Sequence, residues 1–194
     1  HEQGGRLIAR QLIDSGARHV VLVGGPRSQF AEATTFPTIR YHLTVERMLA
    51  DAGIACDYVE AGIVADICAH EATARAIFER YSDVDAIVGS DLVASVALQE
   101  ALRRGISVPR DLQIIAYDGT FMAETAGMRL TAVRQDFPAV AAALASRMDS
   151  QIAADNGTTS AAAAEGGNAV AANGGQSTSE DIISVTLIPG ETTR

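Results

Sequence analysis

The chain has 194 residues, of which 47% are hydrophobic, and it carries a formal net charge of -9 with an isoelectric point near 4.8. Its length and apolar fraction suffice for one domain or a small two-lobed unit, and its acidity opposes direct binding of this chain to nucleic-acid phosphates. The two cysteines, Cys56 and Cys68, form no CxxC pair, and no apolar run reaches the roughly 18 residues of a membrane span. We therefore expect a cytoplasmic protein that does not bind membranes.

Helical patterns alternate with short apolar runs along most of the chain. Residues 7–13 carry apolar side chains at helical spacing and end before Gly16, and residues 19–24 then form a continuous apolar run that is typical of a buried strand. Strands that alternate with helices of this length predict a parallel sheet with helices on both faces. The further helices are predicted over 37–52, 67–81, 91–104 and 139–153, and the further strands over 56–61, 85–90, 112–117 and 130–135.

The composition changes after residue 153. Residues 155–176 consist mainly of Ala, Gly, Asn, Ser and Thr, with too little apolar surface to offset the entropy of ordering, so we expect a flexible loop or linker there. The apolar run DIISVTLIP that follows predicts a final strand. A strand after such a segment indicates a surface insertion within the fold.

Polar residues stand at the ends of several predicted strands. Ligands of open parallel sheets bind beyond the carboxyl ends of the strands, and Ser90, Asp91, Asp118 and Gln135 all lie at such ends. These side chains are therefore expected to share one crevice. By contrast, the sequence has no HExxH, GxSxG or Walker motif and no His or Cys pair at metal-ligand spacing, so we expect neither an enzyme nor a metal or cofactor site.

Four segments bear a family likeness in their order and spacing: HEQGGRLIARQLIDSGARHVVLVGGP, FPTIRYHLTVERMLADAGI, DAIVGSDLVASVALQEALRRGISVPRDLQIIAYDGT and LTAVRQDF. Together they resemble the effector-binding domain of LacI/GalR-family transcriptional repressors. The resemblance covers nearly all of the chain except the low-complexity stretch, and its most specific part is GISVPRDLQIIAYDGT followed by LTAVRQDF. It implies an α/β fold of the periplasmic-binding-protein-like type I, mostly the C-terminal subdomain.

The resemblance implies ligand-binding roles for individual residues. Arg40 matches an arginine that clamps sugar hydroxyls, Ser90 stands where an asparagine usually binds the ligand, and Asp118 matches an aspartate that accepts hydrogen bonds from the sugar. Gln135 and Phe137 match positions at the back of the cleft, where a ring packs on a pyranose face. An Arg fork, a carboxylate and an amide offer the directional donors and acceptors that a polyol needs.

Structural roles remain open for three of these residues. Arg40 could be an ordinary helix-surface arginine, Asp118 could cap the turn formed with Gly119 and Thr120, and Phe137 could be a core ring at a helix start. The sequence also departs from the family pattern. Leu43 replaces a glycine three positions after Arg40, and Ala116 replaces the glycine before Tyr117. Serine in place of asparagine at position 90 is expected to alter sugar preference.

The resemblance implies the ligand-sensing and dimerising portion of a repressor of carbohydrate-utilisation genes. Its partners would be a sugar effector, a second copy of the chain, and operator DNA through a helix-turn-helix domain that would precede residue 1. The alternative is a periplasmic sugar-binding protein of a transport system, which shares the fold. VPRDLQIIAYDGT and RQDF favour the repressor.

The resemblance also predicts how the chain divides. Residues 1–153 form the effector-binding lobe, with the helix over 137–153 belonging to a second lobe, residues 154–180 form the insertion, and residues 181–194 form the final strand and tail. One lobe presents only one side of an interlobe cleft, so we expect reduced sugar affinity. The apolar stripe on the helix is expected to drive self-association because its partner is absent; it comprises Val140, Leu144, Met148 and Ile152.

Overall fold

The computed structural model describes residues 1–28, 38–62, 66–164 and 183–194, with the backbone alone for residues 38 and 154–164. It divides into two compact units, the first formed by His1–Gln135 with Val185–Arg194 and the second by Asp136–Ser184. The described helices are α1 (Glu2–Asp14), α2 (Thr38–Asp51), α3 (Ile67–Arg80), α4 (Asp91–Arg103), α5 (Phe121–Thr125) and α6 (Phe137–Ala164). The described strands are β1 (His19–Gly24), β2 (Ala55–Glu60), β3 (Ala86–Ser90), β4 (Gln113–Asp118), β5 (Thr131–Gln135) and β6 (Val185–Ile188).

The first unit is built on a single sheet with the strand order β2-β1-β3-β4-β5-β6. The first five strands pair in parallel, as the alternation of helices and strands predicts, whereas β6 pairs antiparallel with β5. The predicted parallel sheet is therefore confirmed for five strands, and the final strand, whose direction the sequence did not indicate, is antiparallel. Sheets of this class often carry one antiparallel edge strand, and strand direction leaves no mark on the apolar pattern.

Helices cover both faces of the sheet, which explains why its central strands are apolar throughout. Along β1, Val20 and Leu22 pack into a core with α1 and α2, while Val21 and Val23 pack into a second core with α3 and α4. Both sets are almost fully buried. Successive side chains of a strand point to opposite faces, so a strand buried on both sides must be apolar at every position.

Two predicted boundaries need correction. The short helix α5 lies between β4 and β5, in a segment to which the sequence assigned neither a helix nor a strand; Thr120 caps its start by accepting a hydrogen bond from the Met122 amide at 3.3 Å. In the second unit, α6 continues to Ala164, into the segment that was expected to be a flexible loop from residue 155. Alanine, which forms a run over 161–164 at the end of this helix, has the highest helix propensity of all residues. The rest of the predicted insertion, residues 165–180, lies outside the described residues.

The exposed side of α6 contains most of the predicted apolar stripe. Leu144, Met148 and Ile152 are 58%, 64% and 55% exposed. The expected self-association through this stripe stays a prediction. No helix in the described part of the chain combines the length and hydropathy that a bilayer crossing requires.

Candidate functional site

A cavity of about 510 Å³ opens beyond the carboxyl ends of β1, β3 and β4 in the first unit. The first turns of α2, α3 and α4 surround it, so both helical faces of the sheet contribute side chains. This is the place that the strand-end rule predicts, and the volume is that of a small-molecule site. The polar residues that line it are His42, His70, Ser90, Asp91, Asp118, Thr120 and the tyrosines Tyr41 and Tyr117.

Asp118 ends β4 in a backbone conformation that side chains avoid. Its φ is +120°, a value that favours glycine, and non-glycine residues in such conformations cost of the order of 1–3 kcal/mol. One carboxylate oxygen, Oδ1, accepts a hydrogen bond of 2.6 Å from Gln135 Nε2. The other, Oδ2, accepts none from the described residues. The strained backbone therefore holds a half-buried carboxylate that has an oxygen available to a ligand.

The electrostatics of Asp118 are those of a binding or catalytic site. Burial and, to a smaller extent, the charge of Asp91 raise the pKa of its carboxyl group to about 6, against the opposing effect of the Gln135 hydrogen bond. A carboxyl group in a cavity whose pKa is raised by burial and by a neighbouring charge is a candidate for a functional role. At neutral pH the group is mostly ionised and acts as an acceptor for hydroxyl or N–H donors.

Asp91, and not Asp118, holds the turn after β4. Its buried carboxylate accepts hydrogen bonds from the Gly119 amide at 3.1 Å, and from the Thr120 amide and hydroxyl at 2.6 Å each. The turn-capping role considered for Asp118 is therefore filled by its neighbour across the sheet. Asp91 has little remaining capacity for a ligand, which leaves Asp118 as the principal acceptor.

Ser90 ends β3 and caps α4. Its hydroxyl oxygen accepts from the Val93 amide at 3.4 Å, which supplies one of the unpaired donors of the helix start. A serine hydroxyl that accepts in this way still has its own proton to donate. Ser90 can therefore cap the helix and hydrogen-bond a ligand at the same time.

An aromatic group from α2 and β4 packs beside Asp118. The rings of Tyr41 and Tyr117 stack at 3.9 Å between centroids and 4° between planes, and both are almost fully buried. His42 packs on Tyr41 and is buried; burial, together with the charge of Arg27, lowers the pKa of its imidazole to about 4. Burial, together with the charge of Asp118, raises the pKa of Tyr41 well above its ordinary value. These groups give the cavity a largely apolar, neutral side next to one carboxylate.

Some of the predicted site residues line the cavity and others do not. Ser90 and Asp118 line the cavity, and Gln135 contacts it through Asp118. Arg40 is exposed, and its neighbours Ile39, Tyr41 and His42 supply the part of the lining that comes from α2. Phe137 begins α6 in the second unit and is 49% exposed. The ligand-binding roles of all five residues stay predictions.

Sequence patterns did not reveal three of the cavity residues. Tyr41 and His42 occupy buried positions of α2 that resemble any packed helical position, and a lone histidine such as His70 is most often structural. The signal that was available is their position in the first turn of a helix that follows a strand, because such turns meet at the carboxyl edge of the sheet. Within the described residues, no cluster of His, Cys, Asp or Glu has the arrangement of a metal site.

Sequence comparison relates the chain to regulators. The model of the periplasmic binding protein-like domain family matches residues 9–170. The HTH-type transcriptional regulator CelR of Thermobifida fusca is 29% identical over 136 residues, which cover 68% of this chain and 38% of the relative. The ribose operon repressor of Bacillus subtilis (strain 168) is 31% identical over 118 residues, which cover 59% of this chain and 33% of the relative. The chain thus spans less than half of the length of these curated relatives.

Structural comparison gives the same fold. A transcriptional regulator CelR–cellobiose complex superposes with a TM-score of 0.71 at 22% identity and covers 98% of this chain and 51% of its own. A LacI family transcriptional regulator from Arthrobacter sp. FB24 in complex with lactose superposes with a TM-score of 0.76 at 20% identity, covering 100% of this chain and 65% of its own. Identities this low establish the fold alone.

Proposed function

Because the chain belongs to the periplasmic binding protein-like domain family, we propose that it is the sugar-sensing part of a cytoplasmic LacI-type repressor of carbohydrate-utilisation genes. The observation that carries the proposal is the cavity at the carboxyl edge of the sheet, with Asp118 strained into place and one of its oxygens open to a ligand. The relatives support the regulatory role, since CelR and the ribose operon repressor are named as regulators.

The charge of the cavity favours a neutral, hydroxyl-rich ligand. Asp118 and Asp91 are acidic, and none of the described residues that line the cavity is an arginine or lysine. Phosphorylated or carboxylated ligands would meet two carboxylates without a compensating cation, which is costly in a partly buried site. A neutral sugar instead donates hydroxyl protons to Asp118 and presents its CH face to the apolar residues. The proposed role is binding and not catalysis.

The proposed coupling to DNA is a shift between two arrangements of lobes. A sugar that binds between this lobe and a second lobe binds the closed arrangement more tightly than the open one and therefore favours closure. Closure then alters the spacing of DNA-reading segments in a homodimer. Operator DNA would be bound by a segment outside these 194 residues. The same cleft would serve a periplasmic sugar-binding protein, and translation of the gene upstream of residue 1 separates the two: a helix-turn-helix supports the repressor, and a signal peptide supports transport.

The test is a calorimetric titration with neutral sugars, including cellobiose, lactose and ribose, and with a phosphorylated sugar. We expect a neutral sugar to bind, in the millimolar range if one lobe acts alone, and the phosphorylated sugar not to bind. Asp118→Asn should weaken binding by roughly tenfold or more, because a charged acceptor is replaced by a neutral one.

Asp57→Asn is the matched control, since Asp57 is a half-exposed aspartate on β2 that bonds His19 outside the cavity. Its affinity for the sugar should equal that of the wild type. Equal losses in both variants, or binding of the phosphorylated sugar alone, would contradict the proposal.

A further inference from the structure

His70 is a buried histidine of α3 that lines the cavity and has no described hydrogen-bond partner for its ring. It is 7% exposed, and its Nδ1 is shielded from solvent without a partner. A buried polar atom that lacks a partner is destabilising, and such groups are rare in folded proteins. In the described part of the chain, His70 is also the residue that α3 contributes to the cavity lining.

The two ring nitrogens of His70 are in different situations. Nδ1 is shielded from solvent and has no hydrogen-bond partner among the described residues. Nε2 also makes no described hydrogen bond, but it is not fully shielded. Because His70 lines the cavity, Nε2 is the nitrogen that can reach a ligand there. A neutral imidazole carries one proton, and placing it on Nε2 avoids a buried N–H without an acceptor. His70 then presents an N–H donor to whatever occupies the cavity.

This donor complements Asp118. Asp118 projects from the end of β4, and His70 projects from the helix that packs on one face of the sheet, so the cavity has an acceptor and a donor on different elements. A sugar hydroxyl can donate to a carboxylate and accept from an N–H, and a ring with several hydroxyls can do both at separate positions. Hydrophobic contacts discriminate weakly between sugars, whereas a fixed donor rejects a sugar that lacks the matching hydroxyl.

We propose that His70 is a specificity-determining residue that donates a hydrogen bond from Nε2 to one hydroxyl of the bound sugar. The inference rests on the proposed function and deepens it, since it adds a second polar contact to the one made by Asp118.

Three substitutions of His70 distinguish the roles of its two ring nitrogens. The amide of glutamine reaches approximately where Nε2 lies, that of asparagine reaches approximately where Nδ1 lies, and leucine has neither. We expect His70→Gln to bind the sugar within roughly threefold of the wild type, and His70→Asn and His70→Leu to lose roughly tenfold or more. The sugars are cellobiose, lactose and ribose, and the deoxy analogues of the sugar that binds. The deoxy analogue that lacks the contacted hydroxyl should bind the wild type and His70→Leu equally.

A second measurement on the unsubstituted chain avoids any dependence on how the variants fold. Nitrogen-15 spectra of the imidazoles should show a shift of His70 Nε2 on addition of the sugar, while His19, whose two nitrogens bond Asp57 and Asp83, serves as an unchanged internal reference. Sugar binding that leaves the His70 resonances and the affinities of all three variants unchanged would overturn the inference and leave the proposed function standing. A wild-type chain that binds no neutral sugar would overturn both.

Discussion

At each end of the parallel strands lie a buried histidine and an aspartate, but the hydrogen bonding of the two pairs differs. At the amino edge, where the strands begin, His19 bonds Asp83 and Asp57 at 2.9 Å each. Beside it, Asp85 accepts from the amides of Arg18 and His19 at 2.9 and 3.0 Å. At the carboxyl edge, Asp118 is strained and half satisfied, and His70 has no described partner.

The difference indicates which edge serves the fold and which serves a ligand. Hydrogen bonds of polar groups that are complete within the protein tie segments together and stabilise them. Groups that are strained or unpaired reduce stability, and they persist where the surrounding structure holds them for another purpose. The same sheet thus combines a structural edge with a binding edge.

The largest expected effect is the loss of stability on substitution of Asp85. Asp85→Ala removes a buried carboxylate and leaves the part-buried amide of Arg18 and the buried amide of His19 without their acceptor, so the free energy of unfolding should fall by roughly 2–4 kcal/mol. Urea denaturation measures the change. Asp83→Ala is the control, because the Asp83 side chain is 79% exposed and its loss should cost much less than that of Asp85. Equal changes in the free energy of unfolding for the two substitutions would contradict the structural role assigned to the amino edge.

A smaller effect of opposite sign is expected at the carboxyl edge. Asp118→Gly removes the carboxylate and also relieves the backbone strain at a φ of +120°, so the chain should become more stable by roughly 1 kcal/mol while it loses sugar binding. Asp118→Ala loses the same carboxylate and keeps the strain. The difference in unfolding free energy between these two variants therefore isolates the strain. If glycine is no more stable than alanine there, Asp118 is not held under strain.

The smallest effect is a pH dependence of stability at the amino edge. Burial alone would lower the pKa of His19, but its hydrogen bonds to Asp57 and Asp83 outweigh this, and the pKa is raised. A raised folded-state pKa means that the contribution to stability is full below the ordinary value of 6.5 and is lost as the pH rises through the folded value. As the pH rises above 6.5, the wild type should therefore lose more stability than His19→Gln does, by a small amount because Asp57 and Asp83 are solvent-exposed. Parallel stability curves would show that the two ion pairs contribute nothing.

Most of the fold could be predicted from the sequence because burial on both faces leaves a strong signal. The run HVVLVG is apolar at every position, and the observed β1 spans the same residues. Antiparallel pairing of β6 and the helical continuation of α6 past residue 153 were not predicted, since strand direction has no sequence signature and low apolar content does not exclude an alanine-rich helix.

The site could be predicted only in part. The positions of Asp118 and Ser90 could be predicted because each residue lies at the end of a strand, and the position of Gln135 followed from the same rule. The positions of His70 and Tyr41 could not be predicted, because they depend on how helices from both faces pack over the strand ends. The capping of the turn after β4 by Asp91 instead of Asp118 could not be predicted either, since the hydrogen bonds that form this cap join residues 28 and 29 positions apart.

The most direct test of the central claim is the affinity for the sugar as a function of pH. The pKa of the Asp118 carboxyl group is raised to about 6, mainly by burial, so protonation near that pH replaces the charged acceptor. We predict that the affinity of the wild type falls as the pH drops through about 6 and that the affinity of Asp118→Asn, already lower, stays constant over the same range. A wild-type affinity that does not change with pH, or a variant that follows the same titration, would contradict the assignment of Asp118 as the acceptor for the sugar.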